Sequence, residues 1–280
     1  MEGALPLLLC LRVEGLEASH WTRIEGLASA PLPPGVHLTL RACLAASLLG
    51  ALPRVHSITR SAAQTAAHRA RLAALAAHWA ALPLRFATSD GGGPYGAAHK
   101  GAGSSKRLAT EELPALLDAD SLLTQLEECT LEVQAVLGSA HLGPLHDVAL
   151  AWLGRLRGAH AALHRWLDAE RGAAHIARIA AACPELSRVA PEAAKLLPIA
   201  EAALKGLAAE AQECEQGALA SRGALEVLGD GKTHEALARV AEALGPLHAA
   251  VLKGLAAKRQ ACPRLHALGD SKLLTLLTLE

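Results

Sequence analysis

The chain has 280 residues, with 27 Lys+Arg against 27 Asp+Glu, so its formal charge is zero with histidine neutral. That balance argues against an electrostatic grip on nucleic acid or on an anionic membrane. Hydrophobic residues make up 51% and aromatics only 2%, so the apolar content is mainly alanine and leucine, which favour helix over sheet and predict an all-α fold.

The opening segment "MEGALPLLLCLRVEG" carries a short apolar run that is preceded by Glu2 and ends at Arg12. A secretory signal needs a basic flank, and Leu9 is too large for the position before a lipoprotein cysteine, so export is not favoured. No apolar stretch is long and uncharged enough to cross a bilayer. "LEASHWTRIEGLAS" reads as a short helix broken by "PLPPG", and Thr39 to Leu49 as a second. Arg54 to Ala81 reads as a longer one, with Val55, Ile58, Ala62, Leu72, Leu75 and Trp79 near one face.

"LPLRFAT" changes period: Leu82, Leu84 and Phe86 alternate with Pro83, Arg85 and Ala87, the mark of a short strand. It enters "SDGGGPYGAAHKGAGSSKR", a glycine-rich low-complexity segment expected to be a flexible loop. Residues 111–137 read as one helix. From Pro144 to about Glu170 a stripe of Leu145, Val148, Trp152, Leu156, Ala159, Leu163 and Trp166 steps by three or four, with Pro144 suited to the first turn. Residues 192–214 form a helix interrupted early by Pro198. Thr233 to Gln260 carries a stripe of Leu237, Val240, Leu244, Leu247, Val251 and Leu255. The last stretch, "AAKRQACPRLHALGDSKLLTLL", is a helix that stops at Cys262-Pro263, a link, and a leucine-rich helix. The expected architecture is an elongated bundle or rod of long amphipathic helices, with a short β-hairpin-like excursion and a Gly-rich loop. Its parts are an N-terminal helical part (1–88), the loop (89–110) and a C-terminal helical part (111–280).

The candidate chemistry is thin. "GDGKT", Gly229 to Thr233, resembles a phosphate-binding loop, but the required first glycine is Glu226 and "GALEVL" is a poor preceding strand. It reads better as a helix–helix turn with Thr233 as the next N-cap. "KGAGSSK", Lys100 to Lys106, lacks the required order. His160, His164 and Asp168 recur at i+4 along one helix flank, a spacing with which two histidines can share zinc. The metalloprotease form needs Glu at Ala161, and the flank reads as a solvated surface. Six cysteines (Cys10, Cys43, Cys129, Cys183, Cys214, Cys262) include no CxxC pair, so they are expected to be reduced core residues of a cytosolic protein. No nucleophile elbow, close carboxylate pair or basic–aromatic cluster stands out. No catalytic, cofactor-binding or metal-binding residue is expected, and the chain is not expected to be an enzyme. Zinc at His160 and His164, or nucleotide at Gly229 to Thr233, is the weakest reading.

The ordered residues nevertheless resemble one family. Lys258-Arg259, Pro263-Arg264, Leu268, Asp270 and Leu273-Leu274 are similar to the closing stretch of the linker region of dynein heavy chains, just before the motor ring. His20-Trp21 with Ile24, then Trp79, Gln134, Pro144, Trp152, Trp166-Leu167 with Arg171, and Pro191-Glu192 resemble that family's landmarks in order. The likeness spans nearly the whole chain. The chain departs from the family in its aromatics: after Arg171 only Ile176 and Ile179 fit an aromatic-rich segment, while Leu204 stands for tryptophan and Gly254 for tyrosine.

The resemblance implies an all-α mechanical lever of a microtubule motor, in which ATP is turned over by modules outside this sequence. It implies the rest of the heavy chain with its AAA+ ring as the intramolecular partner, and dynein intermediate and light chains as further partners, with no nucleic acid and no membrane. The implied location is the cytoplasm and cytoskeleton, with the ciliary axoneme as a second setting. The ending inside "SKLLTLLTLE" suits a fragment. The alternative is a stand-alone helical protein-interaction scaffold without motor activity.

Overall fold

A computed structural model describes residues 4–30, 39–87, 113–140, 142–182, 191–216 and 223–277. The expected loop at 89–110 and the "PLPPG" breaker lie outside them. The described chain is mostly α-helix with one two-stranded ribbon. It divides into two compact units, Met1–Ala77 with Cys129–Gly154, and His78–Glu128 with Arg155–Glu280.

In the first unit the apolar N-terminal run is itself a helix, α1 (Ala4–Leu11), followed by α2 (Ala18–Glu25) and α3 (Leu40–Ala45). Leu7 of α1 is fully buried with Ile24, Cys43, Ala46, Leu48, Val55 and Ile58, so part of that run is core. His20 Nδ1 accepts from the Glu17 N–H at the start of α2 (3.2 Å), and Trp21 packs half-buried on the same core. The expected helix over Thr39 to Leu49 is shorter. Thr39 caps it through its hydroxyl, but Ser47 at φ 55° stops it and swings Leu48 into the core.

α4 (Leu52–Ala81) begins in this unit. Val55, Ile58, Ala62, Leu72, Leu75 and Trp79 are all buried, as the stripe predicts. The buried Thr65 hydroxyl donates to the Ser61 carbonyl of its own helix (3.0 Å), so no polar group is stranded there. Gly15, at φ +97°, lets the α1–α2 link lie against α4; a Cβ there would stand 2.5 Å from Ala66 Cβ.

In the second unit, β1 (Phe86–Ala87) pairs antiparallel with β2 (Ala115–Leu116), with Phe86 opposite Leu116. The strand signal in "LPLRFAT" is therefore real, with Leu84 and Phe86 buried and Arg85 exposed. The helix expected over 111–137 starts late, because β2 occupies its first part and Asp118 turns the chain at φ 56°. α5 then runs Ala119–Leu137.

A 3-10 turn (Gly143–Leu145), with Pro144 in its first positions, leads into α6 (His146–Ala182), 37 residues long. Its buried stripe holds Leu156, Ala159, Leu163 and Trp166 as expected, but Val148 is 46% exposed and Ala149 is fully buried. At 100° per residue, Ala149 lies seven residues before Leu156 and about 20° off its line, whereas Val148 lies about 80° off. Hydropathy favours valine, and helical phase selects alanine.

α7 (Pro191–Gln216) runs through Pro198, which is exposed and does not interrupt it. A proline on the outer side leaves the freed carbonyl to water. α8 (Ala224–Gly229) is a short buried helix, and α9 (Gly231–Ala261) packs along α7. Leu237, Val240, Leu247, Val251 and Leu255 of α9 are buried and Leu244 is half-buried, so the predicted stripe is the real one. Leu247 packs on Ile176 of α6, and Leu244 and Leu196 border that contact.

Candidate functional site

Four places could carry chemistry or a conformational role, and sequence singles out three of them. At 229–233, Gly229 ends α8, so the element before the glycines is a helix and not a strand. Asp230, in extended conformation, caps α9, its carboxylate accepting from the Lys232 N–H (3.1 Å). Thr233, expected as that cap, is instead buried in the first turn. The chain thus brings its own anion to an N–H that a phosphate would use.

His160, His164 and Asp168 do lie along α6. The imidazoles of His160 and His164 meet edge-on, 4.5 Å between centroids, and His160 Nε2 stands 3.5 Å from Glu127 Oε1 of α5. His164 and Asp168 are exposed, as a solvated flank requires, but His160 is half-buried and its Nε2 is covered. Among the described residues no group of three or more histidine, cysteine, aspartate or glutamate side chains has metal-holding geometry. Cys43 is buried as expected and Cys10 packs half-buried against the same core; Cys129 is half-buried and Cys262 is exposed, so the core reading fails for Cys262, while Cys183 and the side chain of Cys214 lie outside the described residues.

Sequence reasoning misses Glu170. It lies on the buried side of α6, and its carboxylate accepts from the Leu116 N–H of β2 (3.4 Å). Burial raises its carboxyl above the ordinary range, while the Leu116 N–H and the nearby Arg171 charge pull it back. Phe86 packs on Trp166 at 5.5 Å between ring centroids. A ring contact and a hydrogen bond, one helical turn apart on α6, thereby fix the ribbon to that helix.

The fourth place is the carboxyl-terminal corner. α9 ends at Ala261, a 3-10 turn spans Pro263–Ala267, and α10 runs Asp270–Leu277. Cys262 and Leu268, both extended, bracket the turn. Arg259, in the last turn of α9, reaches across it: one terminal guanidinium nitrogen donates to the Leu268 carbonyl at 2.9 Å and lies 2.5 Å from the Asp270 carboxylate. Leu273, 1% exposed, packs on Ile179, Val251 and Leu255, with Leu265 and Leu268 at the edge. Arg259, Leu268, Asp270 and Leu273 are all landmarks of the family resemblance. Geometry gives them one task, which is to hold α10 to the end of α9 across the turn.

Trp21 and Ile24 likewise serve the core of the first unit, His20 holds the start of α2, and Ile176, Ile179 and Leu204 are buried in the second. No helix among the described residues is long and apolar enough to cross a membrane. No curated protein matches the chain. A model of the family described as "Dynein heavy chain, N-terminal region 2" matches residues 1–279. With nearly its whole length matched, the chain belongs to the dynein heavy chain N-terminal region 2 family.

Proposed function

We propose that this chain is a linker-type lever of a microtubule motor, which transmits force and performs no chemistry of its own. The observation that carries this reading is helix length combined with lateral support. α6 has 37 residues and α9 has 31, or about 55 Å and 46 Å at 1.5 Å per residue. Both are buttressed along an apolar stripe. A helix supported along one side resists bending, which suits each of them to carrying load along its own length.

On this reading the working partner is the remainder of a dynein heavy chain with its AAA+ ring, where ATP is turned over. The setting is microtubule-based movement on the cytoskeleton, in the cytoplasm or in a ciliary axoneme, and dynein intermediate and light chains are companions of the same assembly. Two measurements test it. Purified chain incubated with ATP should show no turnover; turnover abolished by Lys232→Ala would overturn the non-enzymatic reading. Added to a dynein motor ring stripped of its own linker, the chain should bind saturably and restore microtubule gliding. A folded chain that fails to bind would support the stand-alone scaffold instead.

A further inference from the structure

We propose that the segment 262–277 is a docked flap held by a latch at Arg259, and that it opens as a unit while the α7–α9 body stays folded. Among the described residues the segment has two chief anchors, with Leu265 and Leu268 partly buried at the edge of the first. One is Leu273, the described α10 side chain that is buried, seated on Ile179, Val251 and Leu255. The other is the Arg259 guanidinium, which is 21% exposed and faces a half-exposed Asp270 carboxylate and the Leu268 carbonyl. Between them the 3-10 turn buries no side chain. Lys272 and Leu276 of α10 face solvent.

The latch is built to act in one step. A single nitrogen holds both the extended residue that ends the turn and the first residue of α10, where a carboxylate also complements the helix dipole. Breaking it frees both sides of the 268–270 link together and leaves the apolar contact of Leu273, edged by Leu265 and Leu268, as the described hold on the segment. Opening uncovers the apolar seat formed by Ile179, Val251 and Leu255. The flap does not depend on the lever reading: a fixed corner would leave the lever intact, and a released corner would exist in a scaffold as well.

The test is amide hydrogen exchange on the full chain, comparing the Leu265, Leu268 and Leu273 amides, which hydrogen-bond within the segment or its link, with those inside α9. In Arg259→Gln, the 265–277 amides should exchange roughly ten- to a hundredfold faster, the equivalent of losing a charge-assisted hydrogen bond, with α9 unchanged. Equal acceleration in α9 would overturn the proposal, because Arg259 would then serve global stability. No acceleration would overturn it as well. Should Arg259→Gln fail to fold, raising the salt from ~0.05 to ~0.5 M on the unmodified chain asks the same question, since salt weakens a partly exposed pair. Selective acceleration of 265–277 supports the latch, and indifference to salt overturns it.

Discussion

Gly223→Ala isolates a steric effect from a backbone one. Gly223 precedes α8 at φ −63° and ψ 151°, which any residue adopts, so alanine brings no conformational strain and even stiffens the unfolded chain, by about 0.4–1 kcal/mol. The space decides the sign. A Cβ at 223 would overlap the Trp79 carbonyl oxygen and stand 2.9 Å from Ala80 Cα and 3.0 Å from the Trp79 carbonyl carbon. All three are backbone atoms near the end of a 30-residue helix, so none can rotate away. Relief requires α8 to move by about an ångström, which stretches the 2.6 Å hydrogen bond from the Ala224 N–H to the Leu82 carbonyl. Overpacking costs about 1–3 kcal/mol and the bond about 0.5–1.5, leaving a net loss of about 0.5–4 kcal/mol after the entropic gain. Gly206→Ala is the control: it lies inside α7 with nothing within 4 Å of its Cβ position, so helix propensity alone should add about 0.5–1 kcal/mol. Urea unfolding of both variants should shift the midpoints in opposite directions. A stabilised Gly223→Ala would refute the close approach of the α8 entry to residues 79–80.

Three further substitutions test other steps. Ala149→Leu should cost about 1–3 kcal/mol and Val148→Ala should stay within about 0.5; the reverse order in urea titrations would restore the hydropathy-based stripe. Asp230→Ala should cost about 0.5–2 kcal/mol by removing the α9 cap, and unchanged stability would show that another group satisfies the Lys232 N–H. Glu170 titrates above its ordinary value of 4.5 in the fold because burial disfavours its charge. The folded chain therefore holds this proton more tightly than the unfolded chain. Its contribution to stability is fully present below the ordinary carboxylate range and is lost as pH rises through the raised folded value. Glu170→Gln should flatten the stability–pH profile above pH 4.5, and parallel profiles would refute the assignment.

What can be read from sequence divides along a physical line. The α4 and α9 stripes are legible because leucine and valine recur at helical spacing and burial follows them. Sequence fails where a residue's role depends on a distant partner or on phase. Nothing local marks Glu170 as reaching Leu116, 54 residues away, and Ala149 is silent on any hydropathy scale. The start of α5 escapes sequence reading because β2 pairs with a strand beyond the 89–110 segment, and pairing overrides propensity. The corner is half legible. Its residues are recognisable by order, but the pairing of Arg259 with Asp270 becomes visible only once the intervening turn brings them together.

The shortage of aromatics, 2% of the chain, changes how its helices can hold together. A large aromatic locks neighbouring helices through its area, some 150–250 Å². In place of that area, the described α6 buries Ala159, Ala162, Ala169 and Ala173 at 0–5% exposure, and Gly172 lets Leu244 Cδ1 come within 3.2 Å of its Cβ position. Small side chains allow close backbone approach, so dispersion between helices at short range takes over the cohesion that rings would supply. Such a seam has a different weak point. Aromatic packing fails by cavity when a ring is trimmed, whereas an alanine seam has little to trim and fails by intrusion when a side chain is enlarged. Leu204 of α7 is likewise buried, at 3% exposure. The packing along the described α6 therefore depends on its alanines staying small.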